Sequence, residues 1–305
     1  MNDQNMNSSS SRELLRTLLR SCDQEGCDWV CATEAKLNSA HKDDLLSLTN
    51  ESLHAIRRTV SRRFVVISFA DRTNAVTASP FGDVPIGHWK RDELAQVYLV
   101  AQVMSNRYET DERFAALYRL YDASDTEGRV ACLRALNFMT GKSKDALTMI
   151  NDAGRTYLSA LMEAAWCSHP YASQTLSLEE LRKAVLKAIF CEVSIESFMG
   201  IDRLADPELS RRLAEFANER EAAGRTVPAE VWRVASYHPV PGLVARLIGK
   251  VEHPDREERL NAALCLGRTG DPISVPFIDD RLKREDDAEV AIQLQNALEQ
   301  LQTLS

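Results

Sequence analysis

The sequence lacks the features that would place the protein in a membrane or outside the cell. No apolar run in it approaches the roughly 18–20 residues of a membrane-spanning helix, so we expect no insertion into a bilayer. The N-terminus, MNDQNMNSSSSREL, is polar and lacks the apolar core of a signal peptide. Glycine and proline are few, and the seven cysteines form no regular framework. Reduced thiols in a cytoplasm are therefore favoured over a disulfide scaffold.

The sequence also contains fewer basic than acidic residues. The 37 Lys and Arg residues are outnumbered by 45 Asp and Glu residues, which gives a formal net charge of −8. Nucleic acids and anionic membranes both attract a basic surface, so we expect neither to be a general partner. The 305 residues are 44 % hydrophobic and 27 % charged, as in an ordinary globular protein with a sizeable core.

The common catalytic and nucleotide-binding signatures are absent as well. The sequence contains no glycine-rich phosphate loop, no Rossmann fingerprint, no GxSxG elbow and no HExxH. Its acidic pairs do not head the DDxxD motif of terpene cyclases, so we interpret them as helix caps and solvated faces. We therefore predict no cofactor. The acidic pairs are Asp43–Asp44, Asp279–Asp280 and Asp286–Asp287.

Three of the cysteines, Cys22, Cys27 and Cys31, lie close together in the sequence. Their spacing contains none of the CxxC pairs typical of zinc sites, and a zinc site would need a fourth ligand such as His41. Cys27 and Cys31 are four residues apart, so on a helix they share one face. We interpret all three as structural thiols and predict no metal.

Signals for the beginnings and ends of helices recur along the chain. Asp206–Pro207 opens a helix with proline at its first position, and Gly224 lies just past the end of that helix. Ser124 with Glu127 is typical of a capping box. We predict an all-α fold with a disordered tail at 1–11, an N-terminal helical subdomain at 12–70, a loop or linker at 71–90 and a helical domain at 91–305.

The C-terminal region contains two similar helical segments. A helix that begins near His253 is broken at Gly270-Asp271-Pro272, and a shorter helix and then a second long helix from Asp286 follow. Helix pairs repeated in this way are typical of HEAT-like stacking, in which each pair covers the apolar face of its neighbour. We therefore predict a helical superhelix with HEAT-like helix pairs toward the C-terminus.

Charged and aromatic residues between Arg155 and Trp232 have a spacing that helix packing alone does not require. Lys187 is the most unusual, because it lies in the apolar run VLKAIF and a half-buried lysine needs a carboxylate partner or a lowered pKa. Asp202 and Glu219 are candidate partners. Two interpretations stay open, a structural salt-bridge network or the wall of a pocket for an anionic or phenolic metabolite. The candidate ligand-binding residues are Arg155, Tyr171, Lys187, Asp202, Arg203, Glu219, Arg220, Arg225 and Trp232.

Four motifs within His169–Trp232 are more specific. They are HPY, VLKAIF, GIDRLADPELSRRLAEFANEREAAGR and PAEVWR. With these motifs the chain resembles the EboA family, whose pattern this segment follows without gaps, and weaker similarity covers most of the rest, including the C-terminal repeats. The matching positions are Pro170, Tyr171, Lys187, Gly200, Asp202, Pro207, Glu208, Glu219, Arg220, Gly224, Arg225 and Trp232.

Other positions depart from the family pattern. His169 and Arg182 stand where the family has asparagine, Thr175 and Asn218 where it has histidine, and Glu221 where it has tryptophan. Thr175 cannot replace a histidine as a general base near neutral pH. Either the family's histidines are structural, or this chain is a divergent member with a changed task.

The resemblance implies a cytoplasmic component of specialised-metabolite traffic, encoded in a biosynthetic cluster beside a membrane protein of the same pathway. We expect a binding module whose helical pocket takes a small hydrophobic or phenolic metabolite precursor, or a pathway partner. One alternative is an enzyme that catalyses a cyclisation, isomerisation or prenyl-type step on a bulky hydrophobic substrate. Its acid, base or cation-stabilising groups would be Lys187, Asp202, Glu219 or Tyr171. The other alternative is a scaffold without a ligand.

Overall fold

The computed structural model describes residues 8–66, 75–195, 197–199 and 201–303, without the side chains of Asp202 and Arg203. These residues are mostly helical and contain one two-stranded sheet, which confirms the predicted all-α class. Within these ranges every helix is too short or too polar to span a bilayer. The described residues form two compact units, which lie within Met1–Ser177 with Ser197–Met199 and within Leu178–Glu196 with Gly200–Ser305.

The first unit is built around one central helix. Its elements are α1 (Ser8–Cys22), α2 (Gln24–Ser39), α3 (Leu45–Thr59), β1 (Val76–Ser79), β2 (Gly82–Pro85), α4 (Arg91–Arg107), α5 (Thr110–Ala123), α6 (Thr126–Ala135), α7 (Lys144–Arg155), α8 (Ser159–Trp166) and α9 (Pro170–Thr175), with a 3-10 turn at Leu136–Phe138 after α6. α4 packs against α1, α2, α3, α5 and α6. It is buried on nearly every side from Leu94 to Met104, because its residues there are almost all apolar.

A short hairpin lies inside the segment predicted as a loop or linker at 71–90. Val76 pairs with Pro85 and Ser79 with Gly82, so two residues connect the antiparallel strands. Gly82 has a φ of 111°, a conformation that side-chain-bearing residues rarely adopt. Each strand is four residues long, which is too short for its alternation to be read from the sequence. The division between the two units does not coincide with this segment.

The helix starts predicted from the sequence are confirmed in part by the structure. The Asp206 carboxylate accepts from the Leu209 N–H at 2.8 Å, which confirms the predicted start of that helix. The capping box predicted at Ser124 is wrong, because the adjacent Asp125 caps the helix and the Ser124 hydroxyl donates to a carbonyl of the preceding helix. Ser8–Ser11, predicted as part of the tail, form the first turn of α1, and residues 1–7 lie outside the described ranges.

The second unit contains the predicted succession of C-terminal helices. Its elements are α10 (Leu178–Phe190), α11 (Ile201–Leu204), α12 (Pro207–Ala222), α13 (Ala229–Ala235), α14 (Leu243–Val251), α15 (Arg256–Thr269), α16 (Val275–Leu282) and α17 (Ala288–Thr303), with a 3-10 turn at Pro272–Ser274. α15 packs against α13, α14 and α17, and α16 packs against α17. Asp255 and Asp287 cap the two long helices. The HEAT-like character of this stacking stays a prediction.

α15 and α17 approach each other closely at Gly267. A Cβ atom at Gly267 would lie 2.9 Å from the Cα atom of Ala297, which belongs to the facing backbone and cannot turn aside as a side chain can. Gly249 in α14 is different, because nothing lies within 4 Å of the Cβ that a substitution would add there. The contact between the two long helices therefore depends on the missing side chain at Gly267.

Glu285, in the segment between α16 and α17, connects α15 and α16 through a buried ionic contact. Its carboxylate accepts from Arg259 Nε at 2.8 Å and from Arg281 Nη2 at 2.8 Å, and its side chain is only 1 % exposed. The bonds from Arg259, followed by those from Arg281, lower the pKa of Glu285 to about 2. Without Glu285, Arg259 would have no carboxylate partner among the described residues, and Arg281 would keep only Glu252 at 3.3 Å.

We expect the substitution Gly267→Ala to lower the free energy of unfolding by about 1–3 kcal/mol, because the added methyl group forces two helix backbones apart. The matched control is Gly249→Ala. That change should be neutral or should raise the free energy of unfolding by up to about 1 kcal/mol, since alanine is the better helix former. Urea denaturation measures both variants. Equal stability of the two variants would contradict the close contact.

We expect Glu285→Gln to lower the free energy of unfolding by about 3 kcal/mol at pH 7, because Arg259 loses its counter-ion and Arg281 keeps only the exposed Glu252. Since the folded pKa lies below the ordinary value of 4.5, the stabilisation by Glu285 is complete above about pH 4.5 and is lost as the pH falls toward 2. Urea denaturation between pH 7 and pH 3 tests this. Glu257→Gln, at an exposed ion pair, should change stability by less than about 0.5 kcal/mol, and an equal effect of both variants would refute the assignment.

Candidate functional site

The residues predicted from the sequence to line a pocket are divided between the two units. Arg155 and Tyr171 belong to the first unit. The second unit contains the others, and the side chains of Asp202 and Arg203 among them lie outside the described residues. The remaining members of the second unit are Lys187, Glu219, Arg220, Arg225 and Trp232.

The two aromatic members of the predicted set are core residues. Tyr171 is fully buried, with its ring centroid 4.8 Å from that of Phe81, and its hydroxyl oxygen accepts from the Ser143 N–H at 3.3 Å. Trp232 is also buried, and Lys250 Nζ lies 5.7 Å from its ring centroid. Neither ring is presented to solvent, so each side chain contributes to packing in its own unit.

The charged members lie at or near the surface. Arg155, Glu219 and Arg225 are exposed. Arg220 is half-buried, and its Nε donates to the Thr226 carbonyl at 2.6 Å, which ties the end of α12 to the loop that follows. Lys187 is half-buried, with Nζ 5.9 Å from the Phe190 ring centroid. A ligand-binding role for this set stays a prediction.

His169, at a position of departure from the family pattern, has a structural role in the first unit. Its Nδ1 accepts from the Ala172 N–H at 3.1 Å and so caps α9, as an asparagine side chain does at many helix starts. Because a backbone N–H can only donate, Nε2 carries the ring proton and donates to the Leu133 carbonyl at 2.9 Å. Burial lowers the pKa of His169 to about 4. The imidazole is therefore neutral and both of its nitrogens are engaged.

Asn137 completes the same junction. Its side-chain oxygen accepts from the Tyr171 N–H at 3.0 Å, and its amide donates to the Arg134 carbonyl at 3.2 Å. Pro170 has no N–H to satisfy at the first position of α9. Every backbone donor at the buried start of this six-residue helix is thus satisfied or absent, which explains why so short a helix is stable here.

Three other departures have gained polar partners in the second unit. Arg182 forms an ion pair with Asp206, the residue that caps α12. Asn218 and Glu221 both face Arg246, through a hydrogen bond and an ion pair at 3.7 Å. In the first unit, the Thr175 hydroxyl donates to the Tyr171 carbonyl at 2.7 Å. The substituted side chains at these four positions all act in local structural contacts.

Sequence reasoning missed a buried charged cluster in the first unit. Arg134 forms an ion pair with Glu93, and its guanidinium carbon lies 5.1 Å from the centroid of the buried Trp89 ring. The exposed residue His88 places Nε2 3.4 Å from Arg134 Nη2, and the positive charge adds to local desolvation in lowering the pKa of His88. No motif links these residues in the sequence, because the packing of α6 against α4 and the segment just before it brings them together. The cluster is an internal ionic contact.

Two of the three clustered cysteines, Cys22 and Cys27, donate hydrogen bonds to backbone carbonyls of α1. Cys27 is buried, its thiol donates to the Arg16 carbonyl at 3.8 Å, and burial raises its pKa to about 11. Cys22 donates to the Leu19 carbonyl at 3.4 Å. Across the described ranges, no three His, Cys, Asp or Glu side chains are arranged to hold a metal ion.

A groove of about 400 Å³ lies between α2 and α3. The half-buried ring of Trp29 contributes to its wall, and Lys36 and Arg58 are two exposed cations in it. Neither cation has an ion-pair partner among the described residues. We call this the α2–α3 groove, and its lining residues are Trp29, Thr33, Lys36, Leu37, Leu48, Glu51, Ser52, Ala55 and Arg58.

A second groove of about 540 Å³ is lined by residues of α5 together with Lys42 and Asp145. Its Lys42 already pairs with Glu112 at 2.7 Å. The lining also includes Tyr118 and the exposed cation Arg119, but its three carboxylates, Asp111, Glu112 and Asp145, repel an acidic ligand. The α2–α3 groove therefore has the better chemistry for an acidic aromatic molecule. Aromatic lining with a few polar groups that fix orientation is typical of small-molecule sites.

Comparison with known proteins gives one finding. A family model described as metabolite traffic protein EboA matches residues 11–236, which is more than half of the chain. The match covers nearly all of the first unit and the second unit as far as α13, so the C-terminal helices α14 to α17 lie beyond it. No curated protein and no solved structure matches the sequence.

We expect His169→Asn to flatten the pH dependence of stability between pH 6.5 and pH 4. The pKa of His169 is about 4 in the folded protein and about 6.5 in the unfolded chain. The neutral imidazole therefore contributes about 3 kcal/mol to the free energy of unfolding above pH 6.5, and this contribution is lost as the pH falls toward 4. Asparagine keeps the cap acceptor but cannot titrate. Chemical denaturation across this range measures the slope, with His41→Asn, at an exposed histidine, as control. An unchanged slope in the His169 variant would sink the assignment.

Proposed function

We propose, from the premise that the chain belongs to the EboA family, that it acts in metabolite traffic by binding a small precursor molecule in the α2–α3 groove. The ligand class is a hydrophobic or phenolic ring that carries an acidic group. In this proposal the protein is cytoplasmic and passes its ligand to a membrane protein of the same specialised-metabolite pathway. Family membership supports the traffic role, and the groove supports the mode of binding.

One observation carries the choice of ligand, namely the half-buried Trp29 ring beside two cations without ion-pair partners among the described residues. An aromatic ligand can stack on the indole ring, and an acidic group can pair with Lys36 or Arg58. Glu51, also in the lining, disfavours a ligand with several negative charges close to it. A single acidic group on an aromatic body fits this arrangement best.

Binding is favoured over catalysis by the placement of the acid–base candidates. The hydroxyl of Tyr171 is buried and hydrogen-bonded within the core, while Glu219 is exposed. A general acid or base must lie within hydrogen-bond reach of a substrate in a site that positions it. The groove instead offers a stacking surface and charges, which are the requirements of recognition.

We expect 4-hydroxybenzoate to bind in the groove and to perturb Trp29 alone among the four tryptophans. The other three, Trp89, Trp166 and Trp232, are buried, so fluorine NMR of fluorotryptophan-labelled protein separates the groove from the cores. Trp29→Phe assigns the signal. Lys36→Ala and Arg58→Ala should each weaken binding about tenfold, the effect of one charge-assisted contact.

The control ligand is 4-hydroxybenzyl alcohol, which has the same ring without the carboxylate and should bind more weakly. The control variant is Lys144→Ala, at an exposed lysine of α7 outside the groove lining, and it should bind as the parent does. Unchanged affinity in both groove variants, or a shift of a buried tryptophan in place of Trp29, would overturn the proposal.

A further inference from the structure

Three side chains of α1, α4 and α5 each leave a buried hydrogen-bond donor without an acceptor among the described residues. Arg12 Nη1, Ser105 Oγ and Arg113 Nε are buried atoms that have no hydrogen-bond partner among the described residues. Arg12 is only 7 % exposed. A buried donor without an acceptor costs about 1–3 kcal/mol, and more when it is charged, so this arrangement calls for an acceptor from outside the chain's own side chains.

The three donors lie around the C-terminal half of α4. Arg12 Nε donates to the side-chain oxygen of Gln102 at 2.7 Å, which fixes Arg12 against α4. Ser105 follows Gln102 by three residues and so lies on the same face of that helix. Arg113 is in the first turns of α5, directly after α4, and its charge is close enough to Arg12 to contribute, after burial, to lowering the pKa of Arg12.

The nearest carboxylate on this face is already engaged. Glu34 accepts from the Tyr98 hydroxyl at 2.6 Å and from the Gln102 amide at 3.4 Å, and the Gln102 amide also lies 3.3 Å from the Tyr98 oxygen. A neutral glutamine thus stands between Glu34 and Arg12. No ion pair within 4.0 Å joins Arg12 or Arg113 to a carboxylate among the described residues. Glu34 therefore offsets the effect of Arg113 on the pKa of Arg12 only from a distance.

Arg113, like Arg12, has no ion-pair partner among the described residues. Burial lowers the pKa of Arg113, and the carboxylate of Glu109, one turn earlier, opposes this effect without forming an ion pair. Arg12 Nε donates to Gln102, whereas Arg12 Nη1 has no hydrogen-bond partner among the described residues. An anion between the two guanidinium groups would accept the free donors and remove the repulsion between them.

We propose that Arg12, Ser105 and Arg113 form a binding site for a small oxoanion, either a carboxylate or a phosphate group. A guanidinium group presents two parallel N–H donors that match the oxygens of either anion. The hydroxyl of Ser105 can donate a further hydrogen bond to the anion. Neither guanidinium belongs to the lining of the α2–α3 groove, so this site is separate from the one proposed above. It is a second recognition site for a free anion or for the acidic end of a larger ligand.

Isothermal titration of the full chain with inorganic phosphate, and separately with acetate, tests the site, in chloride buffer at constant ionic strength. We expect saturable binding of at least one anion, and the better ligand identifies the source of the oxyanion. Arg113→Gln should weaken this binding at least about tenfold, the loss of one charge-assisted contact. In chloride alone the variant should melt no lower than the parent, because a half-buried charge that repels Arg12 has been removed.

Arg119→Gln is the matched control, since Arg119 is an exposed arginine of the same helix. It should keep the parent's affinity for phosphate or acetate. Ser105→Ala, which removes a hydroxyl and no charge, should weaken binding several-fold and covers the case in which the arginine variant fails to fold. Absence of saturable binding for both anions, or equal losses in the Arg113 and Arg119 variants, would overturn the proposal.

Discussion

The first unit depends on the way in which the buried start of α9 is satisfied. The neutral imidazole of His169 caps this helix with one nitrogen and binds the Leu133 carbonyl with the other. Asn137 takes the next backbone donor, and Pro170 removes one. Without these contacts a short helix would leave polar backbone groups in an apolar core, where each costs as much as a lost hydrogen bond. The close packing of Tyr171 in that core follows from the same junction.

Charges in this protein fall into two groups that differ in what they do. Glu285 and Glu93 show the first, in which a half-buried or buried carboxylate has a guanidinium partner within the chain and ties helices together. In the second group, cations stand in a groove or are buried beside one another with no carboxylate partner among the described residues. Electrostatic interactions are strongest where water is excluded. Both of the sites that we propose belong to the second group, because an unpaired cation is the chemical basis for recognising an acidic ligand.

The side chains at the positions that depart from the family pattern make contacts within their own units. His169 keeps the capping role that asparagine commonly has, while Arg182, Asn218 and Glu221 make polar contacts within the second unit. The groove and the cluster of free donors lie in the first unit, at a distance in sequence from these positions.

The sequence by itself determined the helical class, the family and the start of the helix at Asp206, because periodicity, caps and motifs are local properties. It also indicated the long C-terminal helices, whereas a hairpin of four-residue strands was too short to read. Only the tertiary structure decided that Tyr171 and Trp232 are core residues, since burial depends on what the rest of the chain packs against them. The tertiary structure alone also decided that α2 and α3 form a groove and that Arg12 and Arg113 lie close to each other. Each combines side chains from different helices, and the distance between helices is set by packing and not by spacing along the chain.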